Sequence, residues 1–254
     1  MARRNRLRVI TSLSLFLLYY IANLVSANPL ILNQDNIPAP FSAQYQIIKN
    51  GMTMGKVKLE LEQHSPVSWE YRSWMKAKGL AKLIIGGGKS HAVTHLRLYQ
   101  ENFHPYLFEE TKSGGDGFKD QKIIFDWQAG RVQASYKAQH LDQPLPPTNT
   151  FDNLSLQLSL MANVHQLAQV SIIHLVNKRR LREYEIRKSE ALIEQALIGQ
   201  VKSILLEQYR RDTKMLEIRI WLDPQHNGLP LMFERYKDGK LQFTAHLTSS
   251  SLLE

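Results

Sequence analysis

The sequence predicts a mainly β protein: a strongly curved antiparallel sheet or partly open β-barrel with one inserted apolar helix. Three observations carry that expectation. Segments in which apolar and polar residues alternate recur from Ala43 to Ser249, separated by turn dipeptides such as Asn50-Gly51 and Asp238-Gly239. One stretch, FDNLSLQLSLMANVHQLA at 151–168, instead spaces its apolar residues for a helix. Strand-like segments both precede and follow it, so the helix reads as an insertion in one sheet. Roughly ten short strands with tight turns suit a curled sheet or open barrel.

In chain order, MARRNRLR is a basic leader and residues 9–25 an apolar run, with Val25-Ser26-Ala27 offering small residues before a cut. The expectation is a cleavable secretory signal at 1–27 and a single β-rich periplasmic domain at 28–254. An uncleaved leader would anchor the chain in the inner membrane, since the apolar run is near the short end of a membrane span. Residues 28–40 form a proline-punctuated lead-in. AQYQIIK and MTMGKVKLELEQ then read as a hairpin about Asn50-Gly51. In the next segment Val67, Trp69, Tyr71 and Met75 share one side, and Glu70, Arg72 and Lys76 the other. GLAKLIIGGG at 79–88 breaks the rhythm as a short helix or mobile loop. Strands resume through SHAVTHLRLYQ, PYLFEETK, KDQKIIFDW and RVQASYK, with turns at 114–117 and 128–130. QPLPPTNT is a proline-rich break.

The helix follows. Asp152 is a natural N-cap with Ser155 three residues on, and Phe151 and Leu156 are placed as a hydrophobic staple. Leu154, Leu158, Met161 and His165 fall on one line, while Ser155, Ser159, Ala162, Asn163 and Gln166 form the stripe left for water. A helix this apolar must be covered on most sides, as a plug or lid held by a curved sheet. Beyond it, SIIHLVN and LREYEIRK flank a Lys178-Arg179-Arg180 corner. Residues 189–211 admit two readings: helix propensity favours one helix, whereas Gly199 and the alternation of Val201, Ser203 and Leu205 favour two strands. A meander ends the chain.

Composition bounds the chemistry. Setting Arg3, Arg4, Arg6 and Arg8 aside takes the 32 Lys and Arg down to 28 against 23 acids, a net charge of +5 instead of +9. That mild basic bias suits peripheral contact with an anionic membrane surface. With no cysteine, disulfides, thiolate catalysis and lipid attachment through cysteine are excluded.

Several blocks resemble the domain of unknown function 3108 family of exported bacterial proteins. They are Tyr45 with Asn50-Gly51 and Gly55, FHPYLFEE, IIFDWQAGRV, the helix start FDNLSL, Gly199 to Lys202, and WLDPQHNGLPLMFERYKDGKLQFTAHL. The resemblance spans roughly residues 41 to 248. It implies a periplasmic β-rich domain and strands around Gly199, and it implies no catalytic residue. The architecture is similar to the open barrels that carry lipoproteins across the periplasm.

No motif supplies catalysis. LIIGGGKS has Leu83 where a phosphate loop needs its first glycine, and a strand follows it. His91 and His95 would share a strand face, yet no carboxylate lies within five residues of the pair, so no metal site is expected. Gly-x-Ser-x-Gly and His-Glu-x-x-His are absent. The basic cluster Lys178, Arg179, Arg180, Arg182, Arg187 and Lys188 suits an anionic lipid head group or polymer, but its interleaving with Glu183 and Glu185 favours a solvated strand face. No nucleic-acid partner and no cofactor are expected.

The functional expectation is therefore a non-enzymatic binding protein for an apolar or lipid-like envelope molecule. Its lining would be Trp69, Tyr71 and Met75 on the sheet and Leu154, Leu158, Met161 and His165 on the helix. The alternatives are a structural or interaction module with a solid core and an envelope protein partner, and an envelope hydrolase.

Overall fold

The computed structural model describes residues 29–77, 88–113, 120–137 and 139–254. The leader, most of the 79–88 segment and the 114–117 turn fall outside the described residues. Fifteen strands form one sheet. The first run is β1 (Phe41–Lys49), β2 (Met52–Ser65), β3 (Ser68–Ala77), β4 (Lys89–Tyr99), β5 (Asn102–Ser113), β6 (Gln121–Asp126), β7 (Arg131–Tyr136) and β8 (Gln139–Pro144). After β9 (Thr150–Phe151) and helix α1 (Asn153–Ala162) come β10 (Val170–Asn177), β11 (Arg180–Gln195), β12 (Gly199–Arg210), β13 (Met215–Asp223), β14 (Leu229–Lys237) and β15 (Lys240–Ser250). Among the described residues no helix is long and apolar enough to cross a membrane.

Two antiparallel meanders, β1–β8 and β10–β15, are welded into one sheet where β1 pairs with β15, placing Tyr45 opposite Leu247 and Ile47 opposite Ala245. The sheet then curls until its two ends approach. Tyr136 lies on β7, one strand in from one edge, and Lys178 follows β10, one strand in from the other, yet the Lys178 ammonium sits 5.3 Å from the Tyr136 ring. Among the described residues, β9, parallel to β10, forms that second edge. The architecture is thus an open barrel, the form expected when a twisted sheet of many strands buries one face.

Alternation assigns the two faces. Phe41, Ala43, Tyr45 and Ile47 of β1, Leu59 and Leu61 of β2, and Trp69 and Tyr71 of β3 are buried on the concave side. Lys56, Lys58 and Lys76 between them are exposed. The count exceeds the expected ten partly because two short strands bracket the proline-rich break at 143–150: β8 runs into its start and β9 leaves its end. Proline is tolerated in β8 because it is an edge strand that need not donate to a neighbour. Residues 189–211 are two strands: β11 runs on to Gln195, the chain turns at Gly199 with φ +73°, and β12 pairs back along it. Cross-strand partners override the helix propensity of Leu, Glu and Ala there.

Helix α1 is shorter than its periodicity suggests. It ends at the C-cap Asn163, whose side-chain amide donates to the Ser159 and Ile31 carbonyls at 2.8 and 2.7 Å. That competition for backbone acceptors stops the helix before His165, which is exposed. The stripe expected to face water is also mostly dry: Ser155, Ser159 and Asn163 are buried. Ser155 serves the cap and Asn163 tethers the lead-in segment, so their polarity is spent inside the protein. The cap itself is as expected, with Asp152 and Ser155 forming a capping box.

Gly228, in the turn between β13 and β14, packs directly on the end of α1. A Cβ there would meet the Met161 carbonyl oxygen at 2.4 Å, and its φ of +66° already disfavours any side chain. Gly228→Ala should therefore destabilise by about 1–3 kcal/mol in urea unfolding; an unchanged midpoint would show that the turn and helix are not in rigid contact.

Candidate functional site

The meander gives the barrel two different ends. Gly228 on Met161 places the C-terminus of α1 at the end carrying the β13–β14 turn. The helix N-terminus is held at mid-sheet, where the Thr94 hydroxyl of β4 donates to the Asp152 carboxylate at 2.6 Å. The helix thus fills one half of the interior. At the opposite end lie the turns at 50–51, 178–179, 211–214 and 238–239. There the concave face opens into a cavity of about 770 Å³.

This mouth is cationic. Seven Lys and Arg line it against two acids, Glu217 and Asp238. Register explains the convergence. On β11, Arg180 and Arg182 continue the concave row of buried Tyr184 and Ile186. Arg210 of β12 pairs with Tyr184, and Arg235 of β14 is opposite Ile218. A shift of register in β13 next to Ile218 admits Glu217, whose carboxylate lies 3.6 Å from Arg210, 3.3 Å from Arg235 and 3.5 Å from the Tyr184 hydroxyl. Burial first, and then Glu217, hold the Tyr184 phenol above its ordinary pKa, while Arg182 and Arg235 oppose them. Leu175, Met215, Phe243 and Tyr136 supply apolar wall. One step inward on β12, Gln208 is buried with its side-chain nitrogen unpartnered among the described residues. Guanidinium groups around a recess with apolar walls can hold a carboxylate or phosphate through paired N–H donors while an attached apolar group packs beside them.

Residues 41–248 match the family described as "Protein of unknown function (DUF3108)". The chain belongs to the DUF3108 family. Among solved structures, a β-barrel-like protein of domain of unknown function DUF1849 from Brucella abortus is similar, with a TM-score of 0.52 at 11% identity over 83% of this chain and 96% of that one. A lipoprotein candidate from Parabacteroides distasonis aligns with a TM-score of 0.33 at 8% identity, over 88% of this chain and 98% of that one. At these identities the first likeness concerns the fold alone. Among curated proteins, none matches the sequence.

In this DUF3108 chain the expected apolar lining is only partly assembled. Trp69, Tyr71, Leu154, Leu158 and Met161 join one buried cluster, and half-buried Met75 packs at its margin. His165 lies past the end of the helix and joins none of them. The Trp69 indole nitrogen and the Tyr71 hydroxyl are buried without a hydrogen-bond partner among the described residues. Burial holds the Tyr71 phenol well above its ordinary pKa. The arginine mouth contains Lys178, Arg179, Arg180 and Arg182 of the basic cluster that the sequence offers for an anionic head group, joined by Arg210 and Arg235, which no sequence pattern signals. The basic run splits between faces: Arg180 and Arg182 line the cavity, whereas Arg187 lies over the Tyr209 ring at 4.4 Å and pairs with Glu185. The alternation Arg180, Arg182, Tyr184, Ile186 could have shown half of this in the sequence; Arg210 and Arg235 arrive only through pairing.

Two histidine arrangements also come from pairing. His95 reaches Glu70 across β3 and β4 at 3.1 Å, a carboxylate that sequence neighbours did not reveal. Desolvation raises the Glu70 pKa, but His95, Arg72 and His64 outweigh it and hold it below the ordinary value. His226 meets the buried Asp223 carboxylate at 2.7 Å in the β13–β14 turn. Among the described residues no group of three His, Cys, Asp or Glu could hold a metal ion. The LIIGGGKS segment lies largely outside the described residues.

Proposed function

We propose that this DUF3108 protein is an exported, non-enzymatic binding protein for a lipid-like envelope molecule whose anionic group sits in the arginine-lined mouth. The observation that carries the reading is the cavity of about 770 Å³ in which cations from β11, β12 and β14 surround Tyr184 beside apolar walls. Its size is within the usual range for small-molecule sites. The apolar part of the ligand packs against Leu175, Met215 and Phe243; reaching Trp69 and Tyr71 would require α1 to shift, because Leu158 and Met161 fill that space. The leader at 1–27 supports export to the compartment where such molecules occur.

A fluorescent fatty-acid probe should bind saturably at micromolar concentration and be displaced by envelope lipid extracts. Reversing charge with Arg182→Glu and Arg235→Glu should weaken it at least about tenfold, since a charge-assisted pair contributes about 1.5–3 kcal/mol. Equal binding by that variant would remove the mouth from the site. Absence of any binding would favour a second reading, an interaction module with a solid core. One observation supports that alternative: Leu158, Leu160 and Met161 are each no more than 1% exposed, so the helix is packed on several sides.

A further inference from the structure

The convex face carries a second cationic feature, of different construction. Strand pairing aligns Lys58, Trp74 and His91 in one outward row and Lys56, Lys76 and Lys89 in the next. Together they line a groove of about 530 Å³ on β2, β3 and β4. Trp74 forms its aromatic floor, stacked on His91 with centroids 5.2 Å apart and the rings inclined by 18°, and covered by the Lys58 ammonium at 5.3 Å. Lys58 is partly neutralised by Glu60 at 3.1 Å. Lys56, Lys76 and Lys89 are exposed and make no ion pair among the described residues. Such a cluster of like charges repels itself.

We propose that this groove docks the protein on an anionic lipid bilayer. Lysines on flexible stems suit a diffuse array of headgroup charges, whereas the fixed guanidinium forks of the mouth suit one bound anion. Tryptophan, apolar in body and polar at its N–H, is the side chain favoured at the membrane–water boundary. Position agrees with chemistry. The groove lies toward the ends of β2, β3 and β4 near the 50–51 turn, and β1 and β15 bring that turn to the same end of the barrel as the 238–239 turn of the mouth. Docking by the groove therefore brings the open end of the barrel close to the membrane surface.

Vesicle co-sedimentation of the purified protein tests this. Vesicles of phosphatidylglycerol and phosphatidylcholine should retain it, those of phosphatidylcholine alone should not, and binding should fall as salt rises. Lys56→Gln, Lys76→Gln and Lys89→Gln together should weaken vesicle binding roughly a hundredfold, about fivefold for each lysine. All three are exposed, so folding should persist; if the triple variant unfolds, the single changes are read instead for their fivefold steps. The mouth variant Arg182→Glu/Arg235→Glu should lose the fatty-acid probe and keep most vesicle binding, which separates the two sites. Equal retention by neutral vesicles, or unchanged binding by the lysine variants, would overturn the proposal. Competition by soluble glycerol phosphate at millimolar concentration would also overturn it, showing a small-anion site instead of a docking surface.

Discussion

Replacing Leu158 by alanine should lower the unfolding free energy by about 3–5 kcal/mol, the upper part of the range for truncating a buried leucine. Leu158 is fully buried and stands in the same cluster as Trp69, Tyr71 and Leu96 of the sheet. On its other flank Leu156 and Leu160 belong to a second cluster with Ile173, Ile186 and Leu206. The helix therefore contributes side chains to both core clusters, and a hole at its centre cannot be closed by collapse from one side. Urea unfolding with both variants of the pair Leu158→Ala and Leu158→Met checks this. The methionine variant should lose less than about 1.5 kcal/mol because volume is kept. A loss below about 1 kcal/mol for the alanine variant would mean that the helix is not part of the load-sharing core.

Asp152→Ala should be of similar size, about 3–5 kcal/mol. The carboxylate accepts from the backbone N–H groups of Leu154 and Ser155 at 2.8 and 3.0 Å and from the hydroxyls of Ser155 and Thr94 at 2.8 and 2.6 Å. Loss of an N-cap alone costs about 0.5–2 kcal/mol, and here the donors are stranded away from water, at about 1–3 kcal/mol for each group left unsatisfied. Asp152→Asn keeps an acceptor and should lose less.

The same residue carries a pH signature. Desolvation by complete burial raises the Asp152 pKa despite the donors from Thr94, Ser155 and Leu154 that lower it. An acid whose pKa is higher folded than unfolded binds its proton more tightly in the folded state. Its stabilising linkage is thus full below the unfolded value of about 3.9 and is lost as pH rises through the folded pKa. The stability difference between wild type and Asp152→Asn should change across that acid window and level off above it. A difference independent of pH would place the carboxyl in contact with water.

How much of this was legible in the sequence depends on the distance over which each feature is determined. Turns at Asn50-Gly51 and Asp238-Gly239, the alternation in β1 to β3 and the Asp152 cap are local. Each rests on a positive φ, a two-residue period or a side chain reaching three residues along, and each could be read directly. The helix was recognised by its period, but its end was not. Asn163 looks like one more helical residue until the Ile31 carbonyl arrives to take its amide proton. Residues 189–211 were ambiguous because propensity and alternation disagree there, and only partners on both flanks of β12 settle the matter.

The candidate site was hardest to see because it is built from residues that the chain keeps apart. The sequence by itself determined a β-rich meander, one apolar helix with its cap, and a chain without thiol chemistry. Only the tertiary structure decided that β1 and β15 join two meanders into one sheet, and that the sheet curls until Tyr136 meets Lys178. It also decided that Arg182, Arg210 and Arg235 converge at one mouth while Lys56, Lys76 and Lys89 share the convex face beside it. The physical reason is pairing register. Alternation states that successive side chains point to opposite faces, but which strands are neighbours, and which residues stand opposite, follows from burying the whole curved face at once.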